Sequence, residues 1–330
     1  MARRGRPLGF GLRVAALVAL SSLATWSLLA STLHLLDVRL PVFVLGALVA
    51  SPGWVILGLA ARNRGTPGLW LAFGVLWAVG PAAWLSNIGE ERLTELATGL
   101  SLTAPALHGL AAEWIAPVVE ETAKVVGLLV VLGAAWRAGG KRSIALGAAI
   151  GGFIGLWFAI GEVAHHQVAF VNEVGYQDLD GTFVIDPGLV RLTLEAELAH
   201  RFFFFGLTNH ALFSAMAGVA AVRTSQGARA TGALWFIAAI AAHVAYNGLG
   251  APLFGVIDGP LLELMKPHQT GDLGFMIAVG LAGAIAFVVV NGWAAGLLIR
   301  ALRREPEPGA TGAGGRPTST SASTSPELVT

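Results

Sequence analysis

Long apolar runs separated by short basic or polar segments dominate the chain. They cover Val14 to Leu36, Leu40 to Ala61, Gly68 to Ser86, Glu113 to Ala135, Ser143 to Val163, Phe202 to Val222, Thr231 to Leu249 and Leu273 to Ile299. A helix needs about 20 apolar residues to cross a bilayer, so the pattern predicts an all-α, polytopic transmembrane bundle of eight spans. Arg3, Arg4, Arg6 and Arg13 precede the first run, as in a secretion signal. That run is longer than a signal's apolar core and no small-x-small cleavage site follows, so it reads as a retained span.

Three stretches break the pattern. Asn87 to Ala112 carries Glu90, Glu91, Arg92 and Glu95 and predicts an interfacial helix. Ala164 to His200 holds a turn signal at Asp178-Leu179-Asp180-Gly181 and a helix-compatible run from Leu189 to His200. From Glu305 onward Pro, Gly, Ser and Thr predict a disordered tail. The chain therefore divides into 1–112 with three spans and an outside loop, 113–250 with four spans and a long outside loop, 251–304 with an outside loop and the last span, and the tail 305–330.

Charge adds orientation. With the N-terminus inside, fifteen of the 21 Lys and Arg residues fall on the cytoplasmic side and five outside, namely Arg39, Arg92, Arg191, Arg201 and Lys266. This bias predicts that both termini are cytoplasmic. Composition agrees: 55% hydrophobic, 12% charged, mean hydropathy +0.69. The absence of cysteine removes disulfides, thiolate metal sites and a cysteine nucleophile together. Basic residues are scattered, which excludes a nucleic-acid patch.

The remaining basic residue, Lys124, lies inside the fourth span with Glu120 and Glu121. A carboxylate at that depth costs at least ~2.5 kcal/mol, so such a group marks function by default. Lys124 is within helical reach of both glutamates and neutralises only one. At 1.5 Å per residue, Glu120 and Glu121 lie roughly 10 Å below the outer surface and Glu162 about 5 Å. On the next two spans His210 lies roughly 13 Å down and His243 about 10 Å, with Asn247 above it. Four spans thus bring polar groups to one level. Each also has a plainer reading: Glu120 with Lys124 as an ion pair stapling helices, His210 and His243 as packing histidines, Glu162 with His165 and His166 as solvated groups. Gly147, Gly151 and Gly155 at four-residue spacing predict close helix packing, and Phe202 to Phe205 reads as apolar bulk.

Taken together, Glu120-Glu121-x-x-Lys124, Phe158-x-x-x-Glu162, Arg201 with His210 and Gly218, and His243-x-x-x-Asn247 resemble the PrsW family of intramembrane proteases, related to CAAX-processing and bacteriocin-processing membrane endopeptidases. Those relatives end the first motif in arginine and the second in histidine. The resemblance covers roughly Pro117 to Gly250 and makes 113–250 the catalytic core. It implies a hydrolase of the bacterial plasma membrane that cleaves membrane-anchored proteins, anti-sigma factors among them, near the extracytoplasmic side of the bilayer. It gives catalytic roles to Glu120, Glu121, Glu162, His210 and His243, with Lys124, Arg201 and Asn247 supporting.

The chemistry leaves two versions open. In one, Glu121, His210 and His243 hold a divalent metal such as zinc, which lowers the pKa of water to about 7. In the other no cofactor takes part: one of Glu120 and Glu121 activates water while its neighbour pairs with Lys124, and the histidines and Asn247 orient water and support the oxyanion. No HExxH motif is present to decide. An ion- or proton-coupled transporter is the main competing class, but it requires polar groups continuing to the cytoplasmic side, and the inner halves of these spans are apolar. A non-catalytic relative that binds membrane proteins would carry the same spans, and a haem bundle using His210 and His243 would leave the glutamates without purpose.

Overall fold

The computed structural model describes residues 36–100, 102–174, 176–177, 183–184, 206–265 and 271–305. Helix α1 is Leu36–Asn63. Helix α2, Gly68–Thr98, is continuous through a π-helical turn at Ala78–Ala82 that contains Pro81. Proline has no N–H to give the preceding turn, and the wider turn absorbs that loss. Helix α3 begins as Ala104–Leu110, passes through a second π-helical turn at Ala111–Ile115 and continues as Ala116–Arg137. The others are α4 (Ile144–Val174), α5 (Gly206–Ser225), α6 (Arg229–Met265) and α7 (Gly271–Arg303). Two-residue strands β1 (Tyr176–Gln177) and β2 (Phe183–Val184) pair antiparallel.

Among the described residues, Gly68–Thr98, Ile144–Glu162 and Arg229–Leu249 are long and apolar enough to cross a membrane. The eight expected spans and their orientation go further than these three. The 22-residue Ala116–Arg137 segment is long enough too, but it carries Glu120, Glu121, Lys124 and Arg137.

Two expectations need correction. The Asn87 to Ala112 stretch is not an independent interfacial element: its first part extends α2 to Thr98 and its last part opens α3, with the break between Gly99 and Thr103. The expected outside loop after Leu249 is largely helix, since α6 continues to Met265. The first span up to His34, Asp178 to Gly181 with the run from Leu189, Arg201 and Phe202 to Phe205 lie outside the described residues, as do the side chains of His165 and His166.

Short connections set the helices antiparallel. Gly139 after α3 and Gly227 between α5 and α6 have φ of 94° and 88°, left-handed conformations in which a side chain is strained. Beside them, Arg142 donates to the Ser225 carbonyl at 3.0 Å and Gln226 donates to the Arg142 carbonyl at 2.8 Å. All four leading amides of α4 are satisfied there. The Glu305 carboxylate accepts from the Ile144 and Ala145 N–H at 2.5 and 3.2 Å, the Ser143 hydroxyl accepts from Leu146 at 3.0 Å, and the Ser143 carbonyl accepts from Gly147 at 3.1 Å. Glu305, expected to begin the disordered tail, is thus the cap of another helix.

The tightest packing joins α4 to α5. A methyl group on Gly147, Gly151 or Gly155 would overlap the backbone carbonyls of Gly218, Ser214 and His210 respectively. The glycine row expected to allow close approach sets the register of the helix that carries His210. Below the polar level, Leu128, Val131 and Leu132 of α3 pack with Ile150 and Ile154 of α4 and Val219 of α5. Trp77 of α2 fits against Gly127 and donates from its indole nitrogen to the Ala123 carbonyl at 3.0 Å, fixing α2 against the turn of α3 that bears Lys124.

Candidate active site

Four helices deliver six polar side chains to one buried cluster. Proline at the start of Ala116–Arg137 needs no N–H partner, and the helix it opens presents Glu120, Glu121 and Lys124 within one turn. Lys124 Nζ lies 2.6 Å from Glu121 Oε1, 3.4 Å from Glu120 Oε2 and 2.9 Å from His210 Nδ1. It also stands 4.2 Å from the centre of the Phe158 ring, an attractive cation–π position. With 1% of its surface exposed, this lysine is one of the largest fully buried side chains described.

The hydrogen-bond pattern assigns tautomers. An ammonium only donates, so His210 Nδ1 accepts from Lys124 and the ring proton is on Nε2, which lies 2.8 Å from Glu162 Oε2 without the alignment of a hydrogen bond. A carboxylate only accepts, so His243 Nδ1–H donates to Glu121 Oε1 at 3.0 Å and leaves Nε2 open on the side of Glu120, 4.0 Å from its Oε2. Packing holds both rings: His243 stacks on Phe213 with centroids 5.2 Å apart, and His210 meets His243 edge-on at 5.0 Å.

The two adjacent glutamates have different surroundings. Glu121 is fully buried, its Oε1 shared by Lys124 and His243 and its Oε2 without a hydrogen-bond partner. Glu120 instead lines a cavity of about 10 Å³ with Glu162, Phe158, Ser86, Asn87, Glu90 and Ala83. A polar space of that size holds about one water.

The donors suit a divalent cation in kind and spacing. One ligand atom each from Glu120, His210 and His243 lie within 4.8 Å of one another. The Glu121–His243 bond is the outer-sphere arrangement that orients a metal-binding imidazole. Three carboxylates, those of Glu120, Glu121 and Glu162, face one ammonium, so the cluster has room for further positive charge. The expected donor set named Glu121. In the structure Glu120 stands with the two histidines, and Glu121 supports His243 from behind.

Asn247, one turn beyond His243, donates to the Ala112 carbonyl at 2.9 Å and so ties α6 to the π-helical turn of α3 rather than joining the cluster. Sequence reasoning missed four contributors. Phe213, which stacks on His243, was given no role. Asn87 and Glu90 were assigned to an interfacial helix away from the cluster. Asn291 of α7 hydrogen-bonds Asn209, the neighbour of His210, with both amides buried. The signal for Asn291 was available, since it is the one amide between Phe275 and Ile299.

Comparison with known families returns the PrsW family intramembrane metalloprotease, whose model matches residues 66–264, more than half of the chain and wider on both sides than the motifs alone. No curated protein and no solved structure matches the chain.

Proposed function

The chain belongs to the PrsW family of intramembrane metalloproteases, and from that premise we propose that it hydrolyses peptide bonds of membrane-anchored proteins near the extracytoplasmic side of a bacterial plasma membrane. The observation that carries this reading is the meeting of Glu120, Glu121, Lys124, Glu162, His210 and His243 from four helices, within hydrogen-bonding distance of their neighbours, beside a water-sized polar cavity.

The residues divide the work. Glu120 faces the cavity and is the group that takes a proton from water as it attacks the scissile carbonyl. Glu162 lines the same cavity, holds that water and stands with Oε2 2.8 Å from His210 Nε2. Lys124 offsets the charge of Glu121 and stands 3.4 Å from Glu120 Oε2, close enough for its field to favour a developing oxyanion in a low-dielectric setting. Glu121 fixes the His243 ring with Nε2 turned toward Glu120, and the proton that Glu120 takes from water passes to the leaving amine. A divalent cation held by Glu120, His210 and His243 would displace one of the present contacts of His210, with Lys124 or with Glu162, and would supply a water of pKa about 7 and a Lewis acid for the carbonyl.

The test compares new protein N-termini in membranes and medium from cells producing the wild type, Glu120→Gln or His210→Ala at matched levels. Termini near the outer end of a substrate's membrane span, present only with the wild type, support the proposal and name the substrate. Identical termini in all three under several envelope stresses overturn it.

A further inference from the structure

Hydrolysis consumes a water for every bond cut, yet the cluster lies behind Phe158, Phe213 and an apolar core. Helix α2 carries a polar line that begins at this cluster. Ser86, Asn87, Glu90, Thr94 and Thr98 recur three and four residues apart, on one face. Trp84, Leu85, Ile88 and Leu93 occupy other faces, and each has more than a third of its surface exposed, as suits contact with lipid chains.

Two cavities lie along the polar face. The inner one, about 10 Å³, touches Glu120 and Glu162. The outer one is an open groove of about 490 Å³ between the C-terminal part of α2 and the π-helical turn of α3, lined by Asn87, Glu90, Thr94 and Thr98, by Glu91 and Glu95 beside them, and by Ala111 and Ala112. Asn87 and Glu90 belong to both walls, so they stand where the two spaces meet. The 31 residues of α2 span about 46 Å, more than the ~30 Å of bilayer hydrocarbon, so the outer end of the line reaches the interface.

We propose that the polar face of α2 is the path by which water reaches Glu120, with Asn87 and Glu90 forming its narrowest point. Polar side chains are tolerated at membrane depth where they line a wet cavity, and backbone in a wider π-helical turn is tolerated on the same condition. Asn87 suits a constriction because its amide both donates to and accepts from passing water. The wetting of this face is inferred from the polar residues that line both spaces, while its importance for turnover rests on the proteolytic reading above.

The natural absence of cysteine makes the experiment clean. Single variants Asn87→Cys, Glu90→Cys, Leu85→Cys and Ile88→Cys of the full chain, in native membranes, are exposed to a charged, membrane-impermeant maleimide. Only a thiolate reacts, and hydrocarbon suppresses thiolate, so Asn87→Cys and Glu90→Cys should label at least roughly tenfold faster than Leu85→Cys and Ile88→Cys. Equal rates at all four positions, fast or slow, overturn the path.

A second arm tests its use. Asn87→Leu should lower labelling of Ser86→Cys and lower turnover, with labelling of Thr94→Cys unchanged, and Asn87→Ser should restore both. Unchanged turnover in a chain whose inner labelling is blocked overturns the role in delivery. A protein that cuts no substrate still reports the labelling rates, so failure of the proteolytic reading is told apart from failure of this one.

Discussion

The Nδ1–H of His243 donates to Oε1 of Glu121 at 3.0 Å, and this contact separates the roles of two glutamates that are neighbours in sequence. The same oxygen accepts from Lys124 at 2.6 Å, so Glu121 is held from two sides inside the protein while Glu120 keeps its carboxylate on the cavity.

Glu121→Leu should therefore destabilise the fold, by about 3–5 kcal/mol, because it leaves the Lys124 ammonium buried with a poorer partner. The double variant Glu121→Leu/Lys124→Met should recover most of that loss without recovering cleavage. Thermal unfolding in detergent, beside a peptide-release assay, reads both. A single variant as stable as the wild type would show that the pair contributes nothing to the fold.

Glu120→Gln should behave in the opposite way. Its side chain keeps its size and its place on the cavity wall, so stability should stay within about 1 kcal/mol, whereas turnover should fall by about 10²–10⁴, the usual contribution of a general base. Circular dichroism and single-turnover cleavage at matched protein separate the two effects.

The donor trio predicts metal binding. Purified wild type should retain a divalent cation, and His243→Ala and His210→Ala should each lose it. Glu121→Gln should weaken retention by about 10–100-fold, as outer-sphere changes do, although it supplies no ligand. Elemental analysis after dialysis against a chelator measures this directly. Full cleavage by metal-free protein would assign the chemistry to Glu120 without a cation.

Packing of α4 on α5 gives a test that acts through the backbone and alters no titratable side chain. Gly155→Ala would drive a methyl group into the carbonyl of His210, so it should cost about 1–3 kcal/mol and lower turnover through the displaced imidazole. Gly296→Ala, where no atom lies within 4 Å of the added carbon, should be neutral or stabilising by about 0.5–1 kcal/mol.

The amide pair between α5 and α7 makes a prediction about the last helix. Asn291→Leu leaves the Asn209 amide buried without its partner, at about 1–3 kcal/mol. Asn209→Leu/Asn291→Leu should restore stability, since both polar groups are then gone. If cleavage stays low in the stable double variant, the pair positions His210 in addition to joining helices.

Much of the site was legible because charge in an apolar run is costly enough to stand out. Glu120, Glu121, Lys124, Glu162, His210 and His243 are each visible that way, and four of the helices that carry or adjoin them begin or end close to the expected bounds. The division of labour between Glu120 and Glu121 was not legible. Successive residues on a helix point about 100° apart, and only the neighbouring helices decide which one meets His243. The polar face of α2 was hidden for a related reason: its glutamates sit at helical spacing beyond the apolar run, and polarity at the end of a run resembles a loop. Asn291 was hidden by the apolarity of everything around it.

The cap that Glu305 places on α4 joins groups 161 residues apart, and this sets an order of events during synthesis. A ribosome adds about 5–20 residues per second, so α4 exists for roughly ten to thirty seconds before its acceptor is made. During that interval the Ile144 and Ala145 amides rely on water, and the helix whose glycines seat His210 is secured only at its other contacts. The start of α4 is thus completed only after α5, α6 and α7 have all been made, which ties a helix from the middle of the chain to a residue beyond the end of α7.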